Sequence, residues 1–110
     1  SGDTIVIRPG IYTENITLVA GVNLCALSDS WSPTGTNNTV TILGKVTASY
    51  AGLAHITGIE LTTNSDYCIE LTGASATKLV LSNCFINATN NGAINHTGSS
   101  GLSIIYFNYC

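Results

Sequence analysis

The sequence predicts an all-β fold, a parallel β-helix of about four coils, and two observations carry that prediction. The first is an internal repeat. Residues 56–73 (ITGIELTTNSDYCIELTG) align without a gap on residues 81–98 (LSNCFINATNNGAINHTG) at an offset of 25, pairing Ile56 with Leu81, Leu61 with Ile86 and Ile69 with Ile94. A third copy starts where LVLSNC (79–84) falls on IYFNYC (105–110) at an offset of 26. Few of the aligned residues are identical, so what repeats is the pattern, and a period near 25 built from short apolar runs and Asn/Gly/Ser/Thr corners is that of a solenoid with one coil per repeat. The second observation is the residue type. Apolar positions alternate at period two and are Ile, Val, Leu, Cys and Phe between Thr, Ser and Asn, which suits strands rather than the helical half of a leucine-rich repeat. Coiling such a unit sets each strand parallel to its counterpart one turn later, about 4.8 Å away, with the rest of the coil as the crossover.

Taken in order, the whole chain reads as one domain. Residues 1–27 form a first coil with three strand-like runs, TIVI, NITLV and GVNLCAL, separated by turns at Pro9-Gly10 and Ala20-Gly21. Ser28 to Asn38 (SDSWSPTGTNN) has no apolar periodicity and reads as a loop leaving the coil. The repeat coils occupy about 39–110, with the strand pattern resuming at Lys45–Ser49 and Leu53–Leu61. Gly44, Gly52, Gly58 and Gly73 suit corners that need a positive φ or a close backbone approach. Alternation turns Ile56, Ile59, Leu61, Ile69 and Leu71 inward on one coil and Leu81, Cys84, Ile86 and Ile94 on the next, leaving Glu60, Glu70, Phe85 and Asn95 outside.

The opening stretch, with its GDTI strand, PG turn, Y-x-E-N-I strand and G-V-x-L strand, resembles the first coil of the pectin-lyase-like right-handed β-helix superfamily. The stretch from Thr39 onward resembles that superfamily's generic repeat. The resemblance implies a single-stranded, right-handed helix. It also brings in enzymes that cut or de-esterify acidic polysaccharides.

A catalytic reading finds little to stand on. A lyase-like site needs carboxylates around Ca²⁺ with a basic side chain beside them, and a hydrolase- or esterase-like site needs two carboxylates facing one cleft. The six carboxylates are scattered, the one arginine lies in the first coil, and no catalytic motif of the superfamily carries over. The densest group is Glu60, Asp66 and Glu70: Asp66 sits in an Asn64-Ser65-Asp66 corner that an Asx turn explains, and the others are expected on different faces. His55 and His96 read as half-buried side chains near corners, with His96 in the inward position of Leu71. No catalytic residue, metal site or cofactor is expected.

Composition narrows the partners. Three basic residues against six acidic ones leave a net charge of −3, too few cations to neutralise a row of phosphates, so nucleic acid is not expected. No apolar run approaches a membrane span. Nearly a quarter of the residues are Ser or Thr and eleven are Asn, a surface common in extracellular and fibrous proteins, and the expected location is extracellular, at a cell surface or at a virion surface. Four sequons, at Asn15, Asn37, Asn87 and Asn95, are candidate glycosylation sites, although chance supplies two or three in such a chain. The opening SGDT, with no methionine, suggests a mature, processed or excised form.

The four cysteines have no metal spacing. Cys84 and Cys110 share a repeat position and are expected to stack as free thiols, because parallel side chains disfavour the disulfide dihedral. Cys25 and Cys68 are expected to face outward, where an oxidising compartment would let them bond.

Three functions remain open. The first is a non-catalytic structural or interaction module of a fibre, surface appendage or virion-associated assembly, stacking end to end. Its edges would be Thr4, Ile5 and Ile7 at one end and Ile105, Phe107 and Cys110 at the other, meeting another copy or further coils of the same chain. The second is a carbohydrate-binding module; Trp31, whose ring either closes the loop base or offers a stacking surface, and the outward Phe85 are its candidate contacts. The third is a fragment of a polysaccharide lyase, hydrolase or esterase whose catalytic coils lie elsewhere.

Overall fold

The computed structural model describes residues 3–27, 40–63, 67–72, 77–89, 92–97, 104–108 and 110. Among these residues every regular element is a strand: β1 Asp3–Ile7, β2 Gly10–Tyr12, β3 Ile16–Leu18, β4 Val22–Ala26, β5 Val40–Leu43, β6 Val46–Ala48, β7 Gly52–Thr57, β8 Ile59–Thr63, β9 Ile69–Leu71, β10 Thr77–Ser82, β11 Phe85–Ala88, β12 Ile94–His96 and β13 Ile104–Asn108. They form three parallel sheets, in the orders β1-β4-β7-β10-β13, β11-β8-β5-β2 and β12-β9-β6-β3, called here A, B and C. Neighbours in each sheet are three strands apart in sequence. The chain therefore visits A, B and C in the same cyclic order, an arrangement consistent with a β-helix-like solenoid.

The pairing register reproduces the sequence repeat. Ile56 lies beside Leu81, Leu61 beside Ile86 and Ile69 beside Ile94, while Leu79 and Leu81 lie beside Ile105 and Phe107. Earlier circuits depart from 25 because the corners differ in length. Leu24 meets Ile56 across 32 positions (56 − 24), whereas Thr41 meets Glu60 across 19 (60 − 41). The excess lies between β4 and β5, where the sequence places its loop; residues 28–39 are outside the described residues, and so are Trp31 and Asn37. The segment 22–26 pairs with both β1 and β7, so a second circuit begins inside the stretch read as the first coil.

The pairing stacks apolar on apolar. Leu24, Ile56 and Leu81 occupy one ladder, Val40, Ile59 and Ile42, Leu61 two more, and Val46, Ile69 another; all are buried. Each fully buried Ile or Leu contributes about 1.5–3 kcal/mol, and the outward residues of the same strands remain half-exposed. Where β4 and β7 stop pairing, Asn23 Oδ1 accepts the His55 N–H at 3.1 Å, so the ladder ends without an orphaned donor.

Corners carry the special backbone. Gly58 (φ 73°) turns the chain from sheet A to sheet B, and Asn83 (φ 52°) is its counterpart one circuit later. Both donate their N–H across to the next circuit, to Ser82 O and Asn108 O at 2.9 Å. The left-handed region costs a residue with a Cβ about 1–2 kcal/mol; Gly, which has none, is spared it, and Asn tolerates it better than most. At the B-to-C corner a Cβ on Gly44 would lie 2.1 Å from Glu14 O, and Asn15 Oδ1 accepts the Lys45 N–H at 2.9 Å. The Asn64–Asp66 corner and Gly73 lie outside the described residues.

At the C-to-A corner the buried Tyr50 donates its hydroxyl hydrogen to Lys78 O at 2.9 Å, and its own carbonyl accepts the Thr77 hydroxyl at 2.6 Å. Burial pushes the Tyr50 phenol up to about 12 and the Cys84 thiol up to about 11. A folded-state value raised above the unfolded one gives stability that is fully present below the unfolded value and lost as pH rises through the folded one. For the phenol that window is pH 10 to 12 and the full loss is about 2–3 kcal/mol. Urea midpoints measured from pH 8 to 12 should therefore fall steeply above pH 10. Tyr50→Phe should start about 1 kcal/mol less stable and show only the earlier, shallower loss that the buried thiols cause; an unchanged slope above pH 10 in Tyr50→Phe would contradict this.

Candidate functional site

The two ends of the stack are where this molecule departs from a closed core. One ladder runs through all five strands of sheet A: Ile5, Leu24, Ile56, Leu81 and Phe107. Their exposures are 52%, 7%, 0%, 0% and 48%. The same inward strand phase is thus buried in the middle and open at both ends. Ile7 and Ile105 share that phase and are half-buried against the core, while Thr4 lies exposed on the outer face. Among the described residues β1 and β13 each have a strand neighbour on one side only, the chemistry of an edge that can accept another strand.

The outer faces carry the polar side chains. On sheet B, Ile11, Thr41, Glu60 and Phe85 form one row; Thr41 donates its hydroxyl hydrogen to Glu60 Oε1 at 3.1 Å, and Phe85 is 40% exposed. On sheet C, Glu70 is held from both sides: Lys45 Nζ lies 3.1 Å from Oε1 and Asn95 Nδ2 donates to Oε2 at 3.0 Å. This half-exposed pair contributes under about 1 kcal/mol. Glu60 and Glu70 therefore stand on different sheets, each with its own partner. Among the described residues no group of three His, Cys, Asp or Glu side chains is placed to hold a metal ion, and no helix is long and apolar enough to cross a membrane.

The sequons differ in their surroundings. Asn87 is exposed on β11, Asn95 is half-buried with its amide donating to Glu70, and exposed Asn15 uses its carbonyl to hold the Lys45 corner.

Two expectations are corrected. Cys68 does not face outward: it is 0% exposed, because it sits in the corner before β9, where alternation is broken and both Cys68 and Ile69 turn in. Its thiol donates to Leu61 O and Asn87 O at 3.5 and 3.4 Å. His96 does pair with Leu71, yet it is exposed rather than half-buried, because β12 is the last strand of sheet C among the described residues. His55 is half-buried on the outer face of sheet A.

Cys84 and Cys110 occupy equivalent places. Cys84 Sγ donates to Ile56 O and Ser82 O, both at 3.4 Å; Cys110 Sγ donates to Leu81 O and Asn108 O, at 3.4 and 3.6 Å. These acceptors are register partners one circuit apart. All four cysteines are free.

Sequence reasoning missed Tyr50, Asn83 and Asp3. Asn83 was findable, since the gapless repeat aligns it with Gly58. Asp3 shares its strand phase with Ile5 and Ile7 and pairs with Val22, so a carboxylate stands in an apolar phase at the open edge. Comparison with known proteins adds no identification: no family model, curated protein or solved structure matches the chain.

The thiol environments generate a test. Burial and the raised Cys84 value leave about a hundredfold less thiolate there than in a free thiol near neutral pH, while Cys110 is exposed and Cys25 half-exposed. Alkylation of the native protein followed by peptide mapping should label Cys110 and Cys25 first, and Cys68 and Cys84 only on unfolding. Rapid native labelling of Cys84, or a Cys84–Cys110 disulfide under mild oxidation, would contradict the arrangement.

Proposed function

We propose that the three sheets close into a right-handed parallel β-helix of about four coils, of the pectin-lyase-like kind. On this reading the chain is a non-catalytic structural or interaction module of an extracellular, cell-surface or virion-surface assembly, and it acts through its ends. The observation that carries the reading is the sheet A ladder, buried at its centre and half-exposed at Ile5 and Phe107. Right-handedness is supported by the strong preference of parallel crossovers for that hand. The occupant proposed for each end is another copy of the chain, which would satisfy the edge by adding a strand in parallel. Such a contact is head to tail, so it propagates unless rotation closes a ring. The separated carboxylates, each engaged by Thr41 or by Lys45 and Asn95, argue against a fragment that carries polysaccharide-cleaving chemistry in these coils.

A second reading, a carbohydrate-binding module, is favoured by one feature: the exposed Phe85 beside the Thr41-held Glu60 on the flat face of sheet B. It ranks below the first because Phe85, the one outward aromatic of sheet B among the described residues, offers a single stacking contact.

Light scattering and electron microscopy across a concentration series test the proposal. Oligomers whose mass grows with concentration, and which Ile105→Lys or Phe107→Asp abolishes without loss of the strand signal in circular dichroism, are expected. A protein that stays monomeric at millimolar concentration at both pH 7 and pH 4 would overturn it.

A further inference from the structure

The inference that follows rests on the end-stacking reading and names its partner strand and its control. At the C-terminal end, sheet A has five strands where B and C have four, so β13 projects one strand beyond β11 and β12. At the other end the exposed edges are β1, β2 and β3. Of these, β1 is five residues long and the other two are three each. β13 is also five residues long, and neither β1 nor β13 contains Lys, Arg or Pro, the residues that commonly blunt an edge. The matched pair of long, unprotected edges is β13 and β1. Joining them leaves β2 and β3 two strand spacings from β11 and β12, a gap one strand wide, so among the described residues sheet A alone makes the joint.

We infer that a second copy docks its β1 on β13 and that the Asp3 carboxylate gates the contact. A slip of one residue would turn every inward side chain outward, so the phase is fixed. The register that continues the core adds Ile5 to the Leu24–Ile56–Leu81–Phe107 ladder, beyond Phe107. Two residues earlier, it lays Asp3 on Ile105. Every other strand of sheet A turns an apolar residue inward from the Asp3 ladder: Val22 beside Asp3, and Ala54, Leu79 and Ile105 beside one another. A carboxylate in that column loses its water without gaining a partner. Among the described residues the strands on either side of it supply none: β4 (Val22–Ala26) has no charged residue and its Cys25 lies in the opposite phase, while β13 offers only the Tyr106 phenol, also in the opposite phase. Because one sheet makes the joint, a single desolvated charge decides its strength. A neutral carboxyl carries little of that cost, so the stack tightens in acid.

Sedimentation velocity of the intact chain, wild type against Asp3→Asn and Asp3→Leu, tests the gate at pH 7 and at steps down to pH 4. Wild-type association should strengthen by on the order of tenfold or more over that range and reverse when the pH is restored. Asp3→Asn and Asp3→Leu should associate at pH 7 as tightly as the wild type does at pH 4, with little pH dependence of their own, and adding Phe107→Asp should abolish association in each. If all three proteins associate equally and with the same pH profile, and Phe107→Asp still abolishes it, the gate is wrong while end stacking stands. If neither Asp3 variant associates at any pH, both fail.

Discussion

Everything in this molecule depends on the parallel pairing of each strand with its counterpart one circuit later. That pairing places residue on equivalent residue, so through the middle of the stack an inward apolar position in one circuit meets an apolar side chain in the next. Ile56 on Leu81 and Ile69 on Ile94 are the result, and so is the burial of Val46, Ala48, Ile59 and Leu61 in the central circuits. The corners obey the same constraint. A left-handed residue at Gly58 requires one at Asn83, or the strands that follow would leave register. Outside, the same stacking lines up Glu60 with Thr41 and Glu70 with Asn95, which converts a repeat in sequence into hydrogen bonds between circuits.

A stack of this kind has no internal reason to stop. In a closed barrel or sandwich the last apolar residue packs against something else in the domain; here, among the described residues, the ladder runs out to Ile5 and Phe107, each about half exposed. The proposed function follows from that geometry, and so does the significance of Asp3. A charge at an edge position where the other strands of the sheet turn an apolar side chain inward is how edge strands are kept from indiscriminate pairing, and a carboxylate makes the protection conditional on pH.

The parallel strand pairing was legible because residues 56–98 repeat without a gap, so the offset read from the sequence is the register of β7 on β10, β8 on β11 and β9 on β12. The earlier circuits were not legible as a repeat, since corners of unequal length separate pairs by 32 positions in one sheet and 19 in another. Cys68 was misread for a local reason: alternation holds along a strand and fails in the corner that precedes it. His96 was misread because the pattern reports strand phase, whereas burial also needs a neighbouring strand. Phe85 and the inward Ile86 and Ile94 follow the pattern, with burial declining toward the last circuit. The candidate edge residues could be named from the sequence, but Asp3 could not, because its meaning appears only once Val22 is known to lie beside it.

The central claim, that stability comes from stacked circuits and drains away at open ends, is tested most directly by native-state amide hydrogen exchange resolved by residue. Protection should peak in β7, β8 and β10, approach the global unfolding free energy there, and fall toward β1 and β13 in the monomer. Equal protection of β1 and β13 with β7 in a demonstrably monomeric sample, or fastest exchange in the β7–β8 circuit, would contradict it.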